Sequence, residues 1–447
     1  MRFSHLLQTA GLVLTTAACT TTPTLIAEAP ERSDQPAKII VSGIEPGAQV
    51  DLIVERPYDW VASETLRSVT AYTANARGRI DTSVQAPEGQ GEANPYTVFT
   101  SQKRTDQTPW DGATPSDVRV SADLDGDGEV DLNAEMVLPL GHRSTVEMPF
   151  DPEFEGAFIT RPEGSAGKRL PVIVALGGSG GGDAAVRFAA PRFAALGYAV
   201  LALPYHSPAY FGGEAQFPSL PGNFINLPVD YVEAAVAALR KRDDIDPDRI
   251  ALHGVSKGGE LVLLAGSLIP DTSAGGGFCA VAAIVPSDVV WEGWGRGMPP
   301  EGAPSFSWRG EPLPFVPYEG MGAAIASLST ANPTPLRVPH DAGRAANPDR
   351  VGPASINVRA IDEPVYLLGG DADQTWDSGG MVKVIAERRK GLPTLALTFE
   401  KAGHGLSGDP FAPAATASAE ARIKAWPALV NFLEENLSKT GCKNPRQ

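Results

Sequence analysis

The stretch Asp248-Arg-Ile-Ala-Leu-His-Gly254-Val255-Ser256-Lys257-Gly258-Gly259 decides how the rest of the chain is read. An apolar strand, Arg249-Ile-Ala-Leu252, runs into it, and a helical run from Leu261 to Leu268 leaves it. Between a strand and a helix, Gly-x-Ser-x-Gly is a nucleophile elbow: small residues on either side of the serine permit a strained turn that exposes its hydroxyl. Outward from the elbow, apolar strands alternate with helices. Upstream are Pro171-Val-Ile-Val-Ala-Leu176, a helix over 184–196, the strand Tyr198-Ala-Val-Leu-Ala-Leu203 and an amphipathic helix over 229–242. Downstream, strands are expected over 278–285, 365–368 and 395–399, with a closing helix over 420–437. Apolar strands alternating with helices imply a mostly parallel sheet covered by helices on both faces, so the fold class is α/β.

A serine hydroxyl needs a base, and the base needs an acid to orient it. In this architecture they follow the serine in the order Asp or Glu, then His. The chain has six histidines. His5 and His142 lie far upstream, His206 and His253 precede Ser256, and His340 falls before the later strands. His404, in Phe399-Glu-Lys-Ala-Gly-His404-Gly, follows a late strand and is the expected base; His253 reads as a packed residue. The acid should follow the strand ending Leu368-Gly-Gly370, where Asp371 and Asp373 both stand, and spacing does not separate them. Whichever is not used would cap the helix starting near Gly379.

An acyl-transfer site also needs N–H donors for its oxyanion. One is the backbone of Lys257. The second is expected from Gly177-Gly178-Ser179-Gly180-Gly181-Gly182, after an early strand, with Gly178 and Ser179 as candidates; glycine lets backbone approach a tetrahedral centre closely. No Lys-Ser/Thr pair follows this loop, so it does not read as a phosphate cradle.

The 447-residue chain is 43% hydrophobic and 20% charged, which excludes a disordered protein. Its net charge of −16 argues against a nucleic-acid partner, which wants a basic face. Residues 1–19 read as an export signal ending in Ala17-Ala18-Cys19, similar to a bacterial lipoprotein box with Cys19 as the lipidated residue; the alternative is plain cleavage near Ala18. The expected location is therefore the periplasm or a membrane-anchored lipoprotein, touching membrane through that lipid. Residues 20–37 read as a tether, 38–148 as an N-terminal immunoglobulin-like β-sandwich of short alternating strands, and 149–440 as the α/β domain. The Gly-, Pro- and Trp-rich segment 286–354 breaks the strand–helix rhythm and reads as an irregular, lid-like insertion. Within the sandwich, Asp123-Leu-Asp125-Gly-Asp127-Gly-Glu129 reads as a hairpin turn. The alternative is a calcium loop with Asp123, Asp125 and Asp127 as ligands, but its twelfth position is Ala134. No Cys/His spacing suggests zinc. Export permits a Cys279–Cys442 disulfide, although Cys279 in Phe278-Cys-Ala-Val reads as a plain core residue.

Taken together, these motifs resemble the acyl-CoA thioester hydrolase and bile acid-CoA:amino acid N-acyltransferase family of the α/β-hydrolase superfamily. The resemblance covers nearly the whole mature chain. It includes Val41-Ser-Gly-Ile-Glu-Pro-Gly47, Ala74-Asn-Ala-Arg-Gly-Arg-Ile-Asp81, Ala209-Tyr-Phe-Gly212, Leu227-Pro-Val-Asp-Tyr231, the elbow, Gly370-Asp-Ala-Asp-Gln-Thr-Trp376 and Gly403-His404. The family's acid precedes a two-residue spacer and Trp, which matches Asp373 rather than Asp371. The acyltransferase members carry cysteine where this chain has Ser256, so the resemblance implies the thioesterase branch. There water releases the acyl group, through a Ser-His-Asp triad and an acyl-enzyme, without a cofactor. The well-known members act on CoA thioesters inside cells, whereas this chain carries an export signature. The expected substrate is thus a small acyl thioester, with an exported carboxylesterase or peptidase as the first alternative. A non-catalytic surface binding protein on the same scaffold is the second. About 100 sandwich residues are too few for the propeller of prolyl-peptidase relatives.

Overall fold

The computed structural model describes residues 22–32, 35–58, 61–105, 117–138, 145–209, 213–270, 277–330, 332–407, 416–438 and 442. The signal 1–19, Cys19 and residues 210–212 lie outside them. No helix among the described residues is long and apolar enough to cross a membrane.

The N-terminal part is a β-sandwich. Strands β1 (Thr24–Glu28), β2 (Lys38–Ser42) and β5 (Arg79–Asp81) form one antiparallel sheet, ordered β1-β2-β5. Strands β3 (Gln49–Tyr58), β4 (Val61–Thr73), β6 (Lys103–Thr105), β7 (Asp117–Asp123) and β8 (Leu132–Val137) form the other, ordered β6-β4-β3-β7-β8. Period-2 alternation sends Val50, Leu52 and Val54 of β3 and Val118, Val120 and Ala122 of β7 inward. There they share one core with Ile39 and Val41 of β2 and Ile80 of β5. Strand β1 corrects the tether reading of 20–37: Thr24-Leu-Ile-Ala-Glu28 pairs in register with β2, Thr24 opposite Ser42. Thr and Pro on either side gave the segment a linker's composition and hid a β-branched run.

The sheet of the second part has eight strands. They are β9 (Thr145–Pro149), β10 (Phe158–Pro162), β11 (Leu170–Leu176), β12 (Ala199–Ala202), β14 (Ile245–Val255), β15 (Ala280–Ile284), β18 (Val365–Gly370) and β19 (Thr394–Phe399). Their order is β9-β10-β12-β11-β14-β15-β18-β19. Strand β10 pairs antiparallel with both its neighbours; β12 through β19 are parallel. Strand β9 pairs with β10, so this sheet starts before residue 149. The inner parallel strands β12, β11, β15 and β18 are apolar on both faces, whereas the edge strand β19 is half-exposed. Val172, Val174, Leu252, Val281 and Leu367 pack beneath α3 (Asp230–Arg240), α4 (Lys257–Leu268) and α8 (Ser378–Arg388). Ile173, Val200, Ala282 and Leu368 pack beneath α2 (Ala184–Ala195) and α9 (Thr416–Leu437). Helix α9 also lays Ile423 against the sandwich core.

The insertion 286–354 is more regular than its composition suggests. It holds β16 (Phe306–Trp308) and β17 (Glu311–Pro312), which form a small sheet with β13 (Leu227–Pro228). It also holds α5 (Met321–Ser327), α6 (Arg337–Ala346) and α7 (Pro348–Ala354). Cys279 is not a plain core cysteine: it is disulfide-bonded to Cys442. Its apolar neighbours say only that the sulfur is buried, not that it is unbonded. In the β7–β8 loop the carboxylates that converge are Asp123, Asp125 and Asp131, with oxygens within 4.8 Å of one another; Asp127 is not among them. Asp123 accepts from the N–H groups of Asp125, Gly126 and Gly128, and Asp131 from that of Leu124, so these carboxylates close the hairpin turn on itself.

Candidate active site

Strand β14 ends at Val255 and α4 begins at Lys257, leaving Ser256 alone at the turn with φ 59° and ψ −119°. This is a strained conformation for a residue with a side chain, held because the surroundings over-determine it. The Ser256 N–H donates to the Ile284 carbonyl at 2.9 Å, and its own carbonyl accepts from Glu260 N–H at 3.0 Å. The flanking glycines are required by space. A Cβ on Gly254 would lie 2.0 Å from the Gly258 carbonyl oxygen, and one on Gly258 would lie 2.4 Å from that of Gly177. The helix starts four residues before the expected Leu261, at Lys257, with Gly258 and Gly259 as packing glycines inside its first turn.

His404 Nε2 lies 2.9 Å from Ser256 Oγ, and His404 Nδ1 lies 2.7 Å from Asp373 Oδ2. Asp373 is fully buried at the end of β18. Its Oδ2 also accepts from the Ser378 hydroxyl at 2.6 Å, and its Oδ1 from Thr375 N–H at 2.8 Å. Burial alone would raise this carboxyl. The hydrogen bond and charge of His404, with the Ser378 and Thr375 bonds, hold it below its ordinary value instead. An ionised Asp373 puts the imidazole proton on Nδ1 and turns the Nε2 lone pair to the Ser256 hydroxyl. Asp371, two residues away, faces outward and pairs with Lys383 at 2.8 Å. The helix cap expected of it belongs to Asp377, which accepts from Gly380 N–H.

A strained serine between β14 and α4, a histidine after the last strand bridging it to a carboxylate after the preceding one, and this sheet order decide the fold. The chain has the α/β-hydrolase fold, and acyl-CoA thioesterases are among the proteins it resembles. Over 105 residues the chain is 34% identical to acyl-coenzyme A thioesterase 1 of Mus musculus, a stretch that is 24% of this chain and 22% of the relative. Over 208 residues it is 25% identical to NocK of Nocardia uniformis subsp. tsuyamanensis, named as an esterase, covering 46% of this chain and 56% of the relative. The chain thus spans about a fifth of the length of the thioesterase and just over half that of NocK. No protein-family model matches it. Among solved structures, a protein described as a dienelactone hydrolase from Klebsiella pneumoniae is similar with TM-score 0.41 at 14% identity, covering 66% of this chain and 100% of that one. Thermogutta terrifontis esterase 2 is similar with TM-score 0.40 at 19% identity, covering 65% and 89%.

The glycine loop lies beside the serine. A Cβ on Gly178 would sit 3.2 Å from Ser256 Cβ and 3.6 Å from its Oγ. Gly178 and the Lys257 backbone therefore border the same nucleophile, with Ser179 next along the loop.

Sequence reading missed the Lys257 side chain. It is buried, and its Nζ donates to Glu260 Oε2 at 2.8 Å and Ser305 Oγ at 2.7 Å. It lies 5.4 Å from the ring centroids of Phe224 and Phe306 and 5.7 Å from that of Trp294. Burial pulls the Lys257 ammonium down and pushes the Glu260 carboxyl up, while their mutual attraction opposes both shifts. The available signal was a Lys–Glu pair three residues apart in an otherwise apolar helix.

Two further clusters tie the insertion down. Asp288, wholly buried, pairs with Arg344 of α6 and Arg388 of α8. Arg337 donates to the Asp371 and Asp373 carbonyls, both at 3.2 Å, and pairs with Asp377. His340, passed over as the base by its place in the chain, sits among Trp291, Tyr318 and Trp376, and Trp376 in turn touches His404 edge-on at 5.4 Å. The insertion is thus a cap fixed at the acid loop and the elbow helix.

Proposed function

We propose that the protein is an exported serine hydrolase of small carboxylic esters and thioesters. The observation that carries this reading is the His404 ring spanning Ser256 Oγ and Asp373 Oδ2. His404 Nε2 takes the Ser256 proton as Oγ attacks the acyl carbonyl. The resulting oxyanion is held by the Lys257 N–H and an N–H from Gly178 or Ser179. As the tetrahedral centre collapses, the bond to the leaving group breaks and His404 hands that group its proton. Water then gives a proton to His404 and adds to the acyl-enzyme; collapse returns the proton to Ser256 and frees the acid. Asp373 orients the imidazole and stabilises its charged form throughout.

A thioester substrate is suggested by the acyl-CoA thioesterase relative. A simple ester is favoured by the Cys279–Cys442 disulfide, which fits an oxidising compartment, together with the export signature of residues 1–19; a lipid on Cys19 is part of the proposal. The test is initial rates on matched acyl-CoA and p-nitrophenyl acyl esters, with Ser256→Ala as control and fluorophosphonate labelling of Ser256. Faster turnover of simple esters is expected. A clear preference for acyl-CoA would assign the thioester substrate and count against the exported location; unchanged hydrolysis in Ser256→Ala would end the serine reading.

A further inference from the structure

We propose that Tyr205 and His206, just after β12, are positioning residues that aim the oxyanion donors of the glycine loop 177–182. This rests on the serine-hydrolase reading above.

Strand β12 lies beside β11, so the turn that leaves β12 meets the loop that leaves β11. Three consecutive carbonyls of that loop are engaged. Tyr205 Oη donates to the Gly177 oxygen at 2.9 Å. The Gly178 oxygen accepts from Gly181 N–H at 3.4 Å. His206 Nε2 lies 3.2 Å from the Ser179 oxygen. A carbonyl can only accept, so the His206 proton sits on Nε2. The His206 backbone completes the clasp, its oxygen accepting from Gly182 N–H at 2.9 Å.

These contacts set the direction of the donors. None of these peptides is cis, and across a trans peptide the C=O and N–H point opposite ways. The Gly177 carbonyl shares its plane with Gly178 N–H, and the Gly178 carbonyl with Ser179 N–H. Tyr205 therefore sets the direction of Gly178 N–H, and the Gly181 contact that of Ser179 N–H; His206, which holds the Ser179 carbonyl, pins that residue from its far side. Gly178 lies directly against Ser256.

The ring cannot swing to another partner. His206 is 1% exposed, with Phe224 edge-on at 4.6 Å and Tyr205 at 5.1 Å. Gly181 is so close that a Cβ there would lie 3.1 Å from Nε2. His206 Nδ1 is buried and has no hydrogen-bond partner among the described residues, so the Nε2–H tautomer is the one the site satisfies. Burial also lowers its pKa to about 4, which keeps the ring neutral and Nε2 a donor through the working range.

The test compares His206→Phe, His206→Gln and Tyr205→Phe with the parent protein and Ser256→Ala. It reads kcat, KM, melting temperature and the Ki of an acyl-matched boronic acid, whose tetrahedral serine adduct uses the oxyanion donors. Loss of one such donor costs about 10²–10³-fold in kcat, so misaiming one should cost Tyr205→Phe about 30-fold or more, with KM within about twofold. The boronate Ki should rise by a similar factor. His206→Phe, which frees the far side of Ser179, should lose about tenfold, and His206→Gln, whose amide N–H can still reach the Ser179 oxygen, should keep most of the activity. The proposal is overturned if kcat stays within threefold of parent in Tyr205→Phe or, where that variant does not fold, in His206→Phe. It is overturned equally if the glutamine variant is no better than phenylalanine, or if boronate affinity does not follow kcat. Full hydrolysis in Ser256→Ala would instead remove the serine reading on which it rests.

Discussion

Two buried acids flank Ser256 and are used in opposite ways. Asp373, at the end of β18, directs its charge through the His404 ring toward the nucleophile. Glu260, on the first turn of α4, directs its charge away from the nucleophile to Lys257, and through it to Ser305 of the insertion. Both are fully buried, yet hydrogen bonds from neighbours hold the carboxyl of Asp373 down while burial pushes that of Glu260 up. The difference teaches that buried charge near the elbow has two separable uses, polarising a proton path and fastening the cap. A cation at the N-terminal end of α4 opposes the helix dipole, so Lys257 is held by Glu260 and its aromatic walls rather than by its helix.

The largest effect should separate these uses. Asp373→Asn removes the carboxylate that fixes the His404 tautomer, and kcat should fall by about 10⁴-fold, roughly 5 kcal/mol, with KM little changed. A loss under tenfold would break the comparison on the catalytic side. Next, Lys257→Met strands a buried carboxylate and should cost about 3–5 kcal/mol of stability in urea unfolding. Lys257→Met combined with Glu260→Leu should recover most of it, since replacing both partners of a buried pair is often neutral. If the double variant is as unstable as the single, the pair is not what fastens the cap.

His253 shows a third way to bury a titratable group, without charge. Burial first, and then the charge of Arg192, bring its pKa down to about 4 from 6.5. Between those values the unfolded chain binds a proton that the folded chain refuses. Stability contributed by the neutral ring is complete above pH 6.5 and is lost as the pH falls toward 4, at up to about 1.4 kcal/mol per pH unit. His253→Leu should flatten the stability–pH curve by that slope, read from urea midpoints at pH 4.5, 5.5 and 6.5. The smallest effect belongs to Asp371→Asn, which breaks an exposed pair with Lys383. It should change stability by less than about 1 kcal/mol and kcat by less than threefold, setting a baseline for its neighbour Asp373.

What the sequence made legible follows from what each signal depends on. Strands β11, β15 and β18 are buried on both faces, so each reads as an unbroken apolar run. The order Ser, Asp, His depends only on topology, which left one histidine after a late strand; the structure brings that His404 to Ser256. Asp371 and Asp373 could not be separated by spacing, because both lie in one loop and only the direction of the side chain differs. The Lys257 network was hidden because a lysine beside a serine looks solvated until its three aromatic neighbours, from sites 33 to 49 residues away in the chain, are folded around it. The segment 286–354 looked irregular because its order comes from ion pairs to distant residues such as Arg388, which leave no period in the sequence.

The Cys279–Cys442 bond divides the chain in a way the sheet does not. It closes a covalent ring with a sequence separation of 163 residues. Asp373, His404 and the whole cap lie inside the ring, while Ser256 and the glycine loop lie outside. A protease cut within the cap would therefore leave acid and base tied to the rest of the chain, and the two pieces would part on a gel only after reduction. A cut molecule would thus keep both halves of its proton path on one covalent body for as long as its surroundings stay oxidising.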